Sequence, residues 1–156
     1  MPSSRRSAGI LLYRRVPGGL EVLLVHPGGP FWTKKDAGAW SIPKGEYEPG
    51  DDPLTAARRE FEEELGSAPP DGGLVELGEI RQKSGKLVSA WALEGELDAT
   101  AAFSNTFEIE WPPRSGRIQE FPEVDRAEWF VLERAREKIN PAQAAFLDRL
   151  AELEDE

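Results

Sequence analysis

The chain has 156 residues, 39% of them hydrophobic, which is enough for one compact domain with its own core and short for two ordinary ones. Against 19 basic residues stand 29 acidic ones, a formal charge of -10 that disfavours a general electrostatic hold on DNA and points to a small or metal-neutralised ligand. There is no cysteine, which removes disulfides, thiolate metal sites and thiol nucleophiles and fits a reducing, cytoplasmic setting.

The opening MPSSRRSAGILLYRR sets arginines before a short apolar run that stops at Tyr13-Arg14-Arg15 without a small-residue cleavage site, so no signal peptide is expected. No stretch approaches the roughly 20 apolar residues of a bilayer span. Residues 7–15 and 20–26 read as two strands joined by the turn Val16-Pro17-Gly18-Gly19, a hairpin. A turn-rich loop follows, in which Pro27-Gly28-Gly29-Pro30 and Lys34-Lys35-Asp36-Ala37-Gly38 bracket Phe31-Trp32 ahead of Trp40-Ser41-Ile42-Pro43. Loops of this composition often hold ligands.

Asp52 suits an N-cap, Pro53 the first helical position and Gly66 the stop, which predicts a helix over 53–65. Leu54, Ala57, Phe61 and Leu65 recur at helical spacing and are expected in the core, which gathers Glu60, Glu63 and Glu64 on another face. Strands are expected at 74–81, 86–93, around 106–111 and at 127–131, giving a mixed sheet. Helices are expected at 132–139 and 141–153, the second with Ala145, Leu147, Leu150 and Leu153 on its apolar side. The sequence shows no internal repeat and carries no signal for an oligomeric state.

A run of charge on a helix is ordinarily a solvated face. Here the glutamates have too few cations four residues on to neutralise them, and a glycine- and proline-rich loop leads into their helix. A hard divalent ion supplies the missing compensation. Magnesium and manganese take oxygen ligands and leave waters and phosphate oxygens to complete the shell.

The segment GEYEPGDDPLTAARREFEEELG resembles the Nudix hydrolase signature: a glycine, five residues, a glutamate, seven residues, then Arg-Glu-hydrophobe-any-Glu-Glu-any-Gly-hydrophobe. Gly45 opens it, and Arg59-Glu60-Phe61-Glu62-Glu63-Glu64-Leu65-Gly66 fits in register. Asp51 stands where the family has glutamate, and Ser67 where it has a hydrophobe. Segments 7–25, 40–45 and 124–130 extend the similarity over most of the chain. The resemblance implies an α+β fold, the Nudix-type α/β/α sandwich with a mixed β-sheet, over a single domain of residues 1–156.

It also implies a hydrolase dependent on Mg2+ or Mn2+ that cleaves a phosphoanhydride in nucleoside diphosphate-linked compounds. The lead-in at 40–45 looks most like the branch acting on dinucleoside polyphosphates. Enzymes acting on nucleoside triphosphates, nucleotide sugars or RNA 5′ ends share the box, and a non-catalytic nucleotide-binding regulator is the other class. An intact glutamate set favours the enzyme.

Carried onto matching positions, the resemblance makes Glu60, Glu63 and Glu64 metal ligands, with a backbone carbonyl near Lys44-Gly45 as a further one. Arg59 is expected to orient the cluster and to pair with Asp51. The general base is expected either among the box glutamates, Glu63 or Glu64, or in a later loop, where Glu120 and Glu123 are the candidates. Lys44 is placed to meet the leaving polyphosphate. Phe31, Trp32 and Trp111 are candidates for stacking on a base, although core packing is the commoner use of a large ring. His26, the one histidine, is expected to be structural.

Overall fold

The computed structural model describes residues 5–154, so the first four residues of the N-terminal segment and the last two of the chain lie outside the described residues. Strands β1 (Arg6–Val16) and β2 (Gly19–Pro27) form the expected hairpin, paired from Tyr13↔Val22 to Val16↔Gly19. Gly18 sits at φ 91, a conformation that suits glycine in the two-residue turn.

β1 is the axis of the sheet. Along one edge it runs parallel to β5 (Leu87–Glu94), and beside its start lies the short antiparallel β3 (Lys44–Glu46), with Ala8 opposite Gly45. Strands β4 (Leu74–Arg81) and β8 (Val124–Val131) close the two edges, giving the order β4-β5-β1-β2-β8. A strand covered on both faces should be apolar at nearly every position, and residues 8–12 of β1 are.

Alternate residues of β1 feed two cores. Ile10 and Leu12 join Ala57, Phe61 and Leu65 of helix α1 (Pro53–Leu65) on one face. Leu11 and Tyr13 join Trp40, Ala135 of α2 (Leu132–Lys138), and Phe146, Leu147 and Leu150 of α3 (Ala144–Glu154) on the other. The result is an α/β/α sandwich on a mixed sheet. Phe61 is fully buried, worth about 1.5–3 kcal/mol in hydrophobic transfer.

Four details depart from the sequence reading. Helix α1 buries Ala56 rather than Leu54, which is only half-buried. Residues 118–122, read as part of a loop, form β7 (Ile118–Pro122), which pairs with β6 (Thr106–Glu110) in a separate two-stranded ribbon. β8 begins at Val124, three residues early, because its pairing with β2 continues through a bulge as far as Pro27. The last helix starts with a 3-10 turn at Pro141–Gln143 and turns Phe146 inward, leaving Leu153 37% exposed.

Candidate active site

Helix α1 is pinned at both ends. The Asp52 carboxylate accepts from the Thr55 amide at 3.1 Å, and Gly66, at φ 80, donates its amide to the Glu62 carbonyl at 2.8 Å. With the helix held and Ala57, Phe61 and Leu65 committed to the core, Glu60, Glu63 and Glu64 have their direction fixed.

They meet β3. A Glu64 carboxylate oxygen accepts from the Lys44 amide at 3.3 Å. A Cβ placed on Gly45 would stand 2.1 Å from the carboxyl carbon of Glu60, so the bare backbone there is what lets that carboxylate lie against the strand. The glycine that opens the signature therefore has a steric role.

The cluster is short of positive charge. Burial pushes the Glu64 carboxyl up to about 8; Lys44 opposes the shift, while Glu60 and Glu123 add to it. Glu60 is raised too, by burial and then by the charge of Glu63. Arg59 offers Glu60 a guanidinium nitrogen at 3.6 Å. Its expected partner is otherwise engaged: the Asp51 carboxylate, one methylene shorter than the family's glutamate, accepts from the Glu48 amide at 3.1 Å. Among the described residues no ion pair joins Asp51 to Arg59.

A cavity of about 280 Å³ opens beside the cluster, and Trp32, Lys44, Glu64, Gln82, Glu123 and Asn140 are on its wall. Burial holds the Lys44 ammonium below the usual lysine range, and among the described residues it forms no ion pair within 4.0 Å. Glu123, exposed as a residue, is also on this wall, and partial burial and then Glu63 raise the pKa of its carboxyl. Glu120 goes elsewhere. It lies opposite Glu108 on the ribbon, exposed and off the cavity wall, so of the two later glutamates only Glu123 joins the cluster.

The aromatic residues separate. Trp32 lines the cavity and is 38% exposed, and the Lys35 ammonium lies 5.1 Å from its ring centroid. Trp111, at the ribbon tip, meets Phe31 edge-on at 5.3 Å and is not on the cavity wall. Phe31 is 56% exposed, so neither it nor Trp32 is the core residue that its size suggests.

His26 is a strut, as expected. It is buried, with Nδ1 2.7 Å from the Asp125 carboxylate and Nε2 2.6 Å from the Lys35 carbonyl, which ties β8 to the Trp32 loop. The sequence reading did not pick out Gln82, Asn140 or the fully buried Gln143, whose amide accepts from the Ile42 amide and donates to the Ser41 hydroxyl, both at 3.1 Å. Nothing local marks them, because each reaches the wall only through the chain's long-range path.

The donor set suits a divalent cation in kind. It is all carboxylate and carbonyl oxygen, two of its carboxyls, Glu60 and Glu64, have raised pKa values, and Gly45 leaves a cradle that a side chain would fill. In kind, these residues fit a hard ion. Among the described residues no three acidic or histidine side chains already converge as a formed cage.

A model of the NUDIX domain family matches residues 3–150. No curated protein sequence matches significantly. Among solved structures, a Caenorhabditis elegans Ap4A hydrolase binary complex is similar at TM-score 0.66 and 23% identity, covering 97% of this chain and 98% of that one. The NUDIX domain of Shewanella oneidensis NrtR, complexed with ADP ribose, is similar at 0.64 and 14% identity over 98% and 90%. A mutT/nudix family protein from Listeria innocua follows at 0.62 and 15% over 99% and 96%. At these identities the structures establish the fold alone. With the family match spanning nearly every residue and the signature glutamates Glu60, Glu63 and Glu64 carried on helix α1 beside the cavity that Glu64 lines, the chain belongs to the Nudix family of pyrophosphohydrolases.

Proposed function

We propose that this chain, as a single domain over residues 1–156, is a Mg2+- or Mn2+-dependent hydrolase of the cytoplasm that cleaves phosphoanhydrides in nucleoside diphosphate-linked compounds. Nucleosides and dinucleosides bridged by polyphosphate are its favoured substrates, and its partner is a small nucleotide rather than DNA. The observation that carries this reading is the Lys44 ammonium: half-buried, without an ion pair among the described residues, and on the same wall as Glu64 and Glu123. A desolvated cation beside a carboxylate cluster suits a phosphate chain that brings both negative charge and its metal.

Glu60, Glu63 and Glu64 hold the ion, with the carbonyl of the Lys44-Gly45 strand as a further ligand. Bound there, Mg2+ or Mn2+ supplies positive charge to the phosphoryl oxygens. Glu123 takes the proton of the attacking water as its oxygen bonds to phosphorus and the bridging oxygen leaves with the other phosphate. Lys44 holds the departing phosphate, Arg59 orients Glu60, and Trp32 stacks on the base. Trp111 serves the distal part of a long substrate, through Phe31. Glu120 has no place in the reaction.

A panel of nucleotides incubated with magnesium, with products identified by mass, tests the reading. Anhydrides are expected to be cleaved, a dinucleoside tetraphosphate foremost, and p-nitrophenyl phosphate to survive. Turnover is expected to vanish with chelator and to return with magnesium or manganese far better than with zinc. Turnover of the monoester alone, or undiminished turnover of anhydrides after exhaustive chelation, would overturn it.

A further inference from the structure

The ribbon reaches the cavity at the corner between β7 and β8, and that corner is held unusually closely. The Gly28 amide donates to the Glu123 carbonyl at 2.9 Å, the Glu123 amide donates to the Asn105 carbonyl at 2.9 Å, and the Asn105 amide donates to the Glu63 carbonyl at 2.9 Å. One hydrogen-bonded path thus runs from helix α1, through Glu123, to the loop that carries Trp32. The Ser104 hydroxyl clamps the next residue, 3.0 Å from the Val124 amide and 3.2 Å from its carbonyl.

The approach at Gly28 admits no side chain. A Cβ there would lie 2.0 Å from the Pro122 carbonyl oxygen and 3.0 Å from its carbon, which are backbone atoms that cannot swing aside. At Gly29 a Cβ would meet the tip of the Phe107 ring at 2.8 Å, and the backbone is at φ 94. Gly28 needs no such φ, so contact alone accounts for its small size.

We propose that Gly28 is a positioning residue for the hydrolysis: its missing side chain seats the β7–β8 corner and fixes where the Glu123 carboxylate stands relative to Glu63. The inference rests on the base role given to Glu123 under the proposed function, and it concerns a residue outside the signature. In Gly28→Ala the corner must retreat by more than an ångström to restore van der Waals contact. A displacement of that size at a catalytic group costs on the order of a hundredfold in rate.

The experiment compares Gly28→Ala, Ser104→Ala and Glu123→Gln, singly and as the two pairs with Glu123→Gln, by steady-state kinetics on the best substrate of the panel. Gly28→Ala is expected to lower kcat about a hundredfold with KM little changed, and to add almost nothing once Glu123 is glutamine. Ser104→Ala loosens the same corner without a clash, so it keeps the test valid if Gly28→Ala fails to fold. Its loss should be smaller and equally absent in the glutamine background.

Amide hydrogen exchange, which needs no substrate, is expected to quicken at Glu123 and Asn105 in both variants. Losses that add fully to that of Glu123→Gln, a rise in KM alone, or unchanged exchange would each overturn the inference. A parent inactive on every anhydride would instead overturn the functional reading, and exchange would still decide whether Gly28 holds the corner.

Discussion

Glu120 and Glu123 are three residues apart with the same chemistry, and only their surroundings separate them. Glu123 stands at a corner bonded to Gly28 and Asn105, within reach of Glu63's charge, whereas Glu120 faces Glu108 across an exposed ribbon. A general base is worth about a hundred- to ten-thousandfold in rate. Glu123→Gln is therefore expected to lose kcat within that range, while Glu120→Gln keeps parent turnover; steady-state kinetics on both checks it. Equal losses in the two variants would put the base elsewhere. The sequence brought both glutamates into view, but the pairing that removes Glu120 belongs to a local β6–β7 ribbon whose second strand carries no apolar alternation to announce it.

Elements were legible in proportion to how local their signals are. Helix α1 announces itself through Asp52, Pro53 and Gly66, all at its own two ends, and each does in the fold what its chemistry suggests. β3 has three residues, Lys44–Glu46, and exists because Ser7, Ala8 and Gly9 of β1 pair with it, a partner far back in the chain. β7 is exposed at four of its five positions, so no alternation of apolar and polar residues marks it. The candidate site divides in the same way, since Glu60, Glu63, Glu64, Lys44 and Gly45 come from one continuous motif, while Gln82 and Asn140 come from separate places. Local origin also separates stability from chemistry. Asp52→Ala removes a cap about two helical turns from the nearest of the carboxylates, Glu60, so it should cost about 1 kcal/mol of stability while leaving kcat near the parent value. Denaturant melts with a parallel rate measurement check this; a large fall in kcat without loss of stability would give Asp52 a role in the site.

At the scale of the molecule, an acidic protein has gathered carboxylates on one wall without enough cations to satisfy them, so its stability should depend on protons when metal is withheld. Glu64 is the sharpest case, because burial raises its pKa from 4.5 to about 8. Between those values the folded protein holds a proton that the unfolded chain has released. Folding is then favoured by that proton at low pH, and stability falls as pH rises through the window, by up to about 1.4 kcal/mol per pH unit for one proton. Glu60 and Glu123, also raised, act in the same direction. In chelator the parent's melting temperature should fall from pH 5 to pH 8. Glu64→Gln keeps an oxygen for the Lys44 amide but has no proton to lose, so it should flatten that fall and melt above the parent at pH 8. Magnesium should reverse the order: it stabilises the parent in proportion to its affinity for the folded state, and the variant, with one ligand fewer, gains less. Turnover of the variant should be down roughly a hundredfold or more, as when a stabiliser of developing charge is removed. Melting curves at several pH values, with and without magnesium, and one rate measurement decide the matter. If the two proteins share both the pH dependence and the turnover, Glu64 is a solvated surface residue and not a ligand.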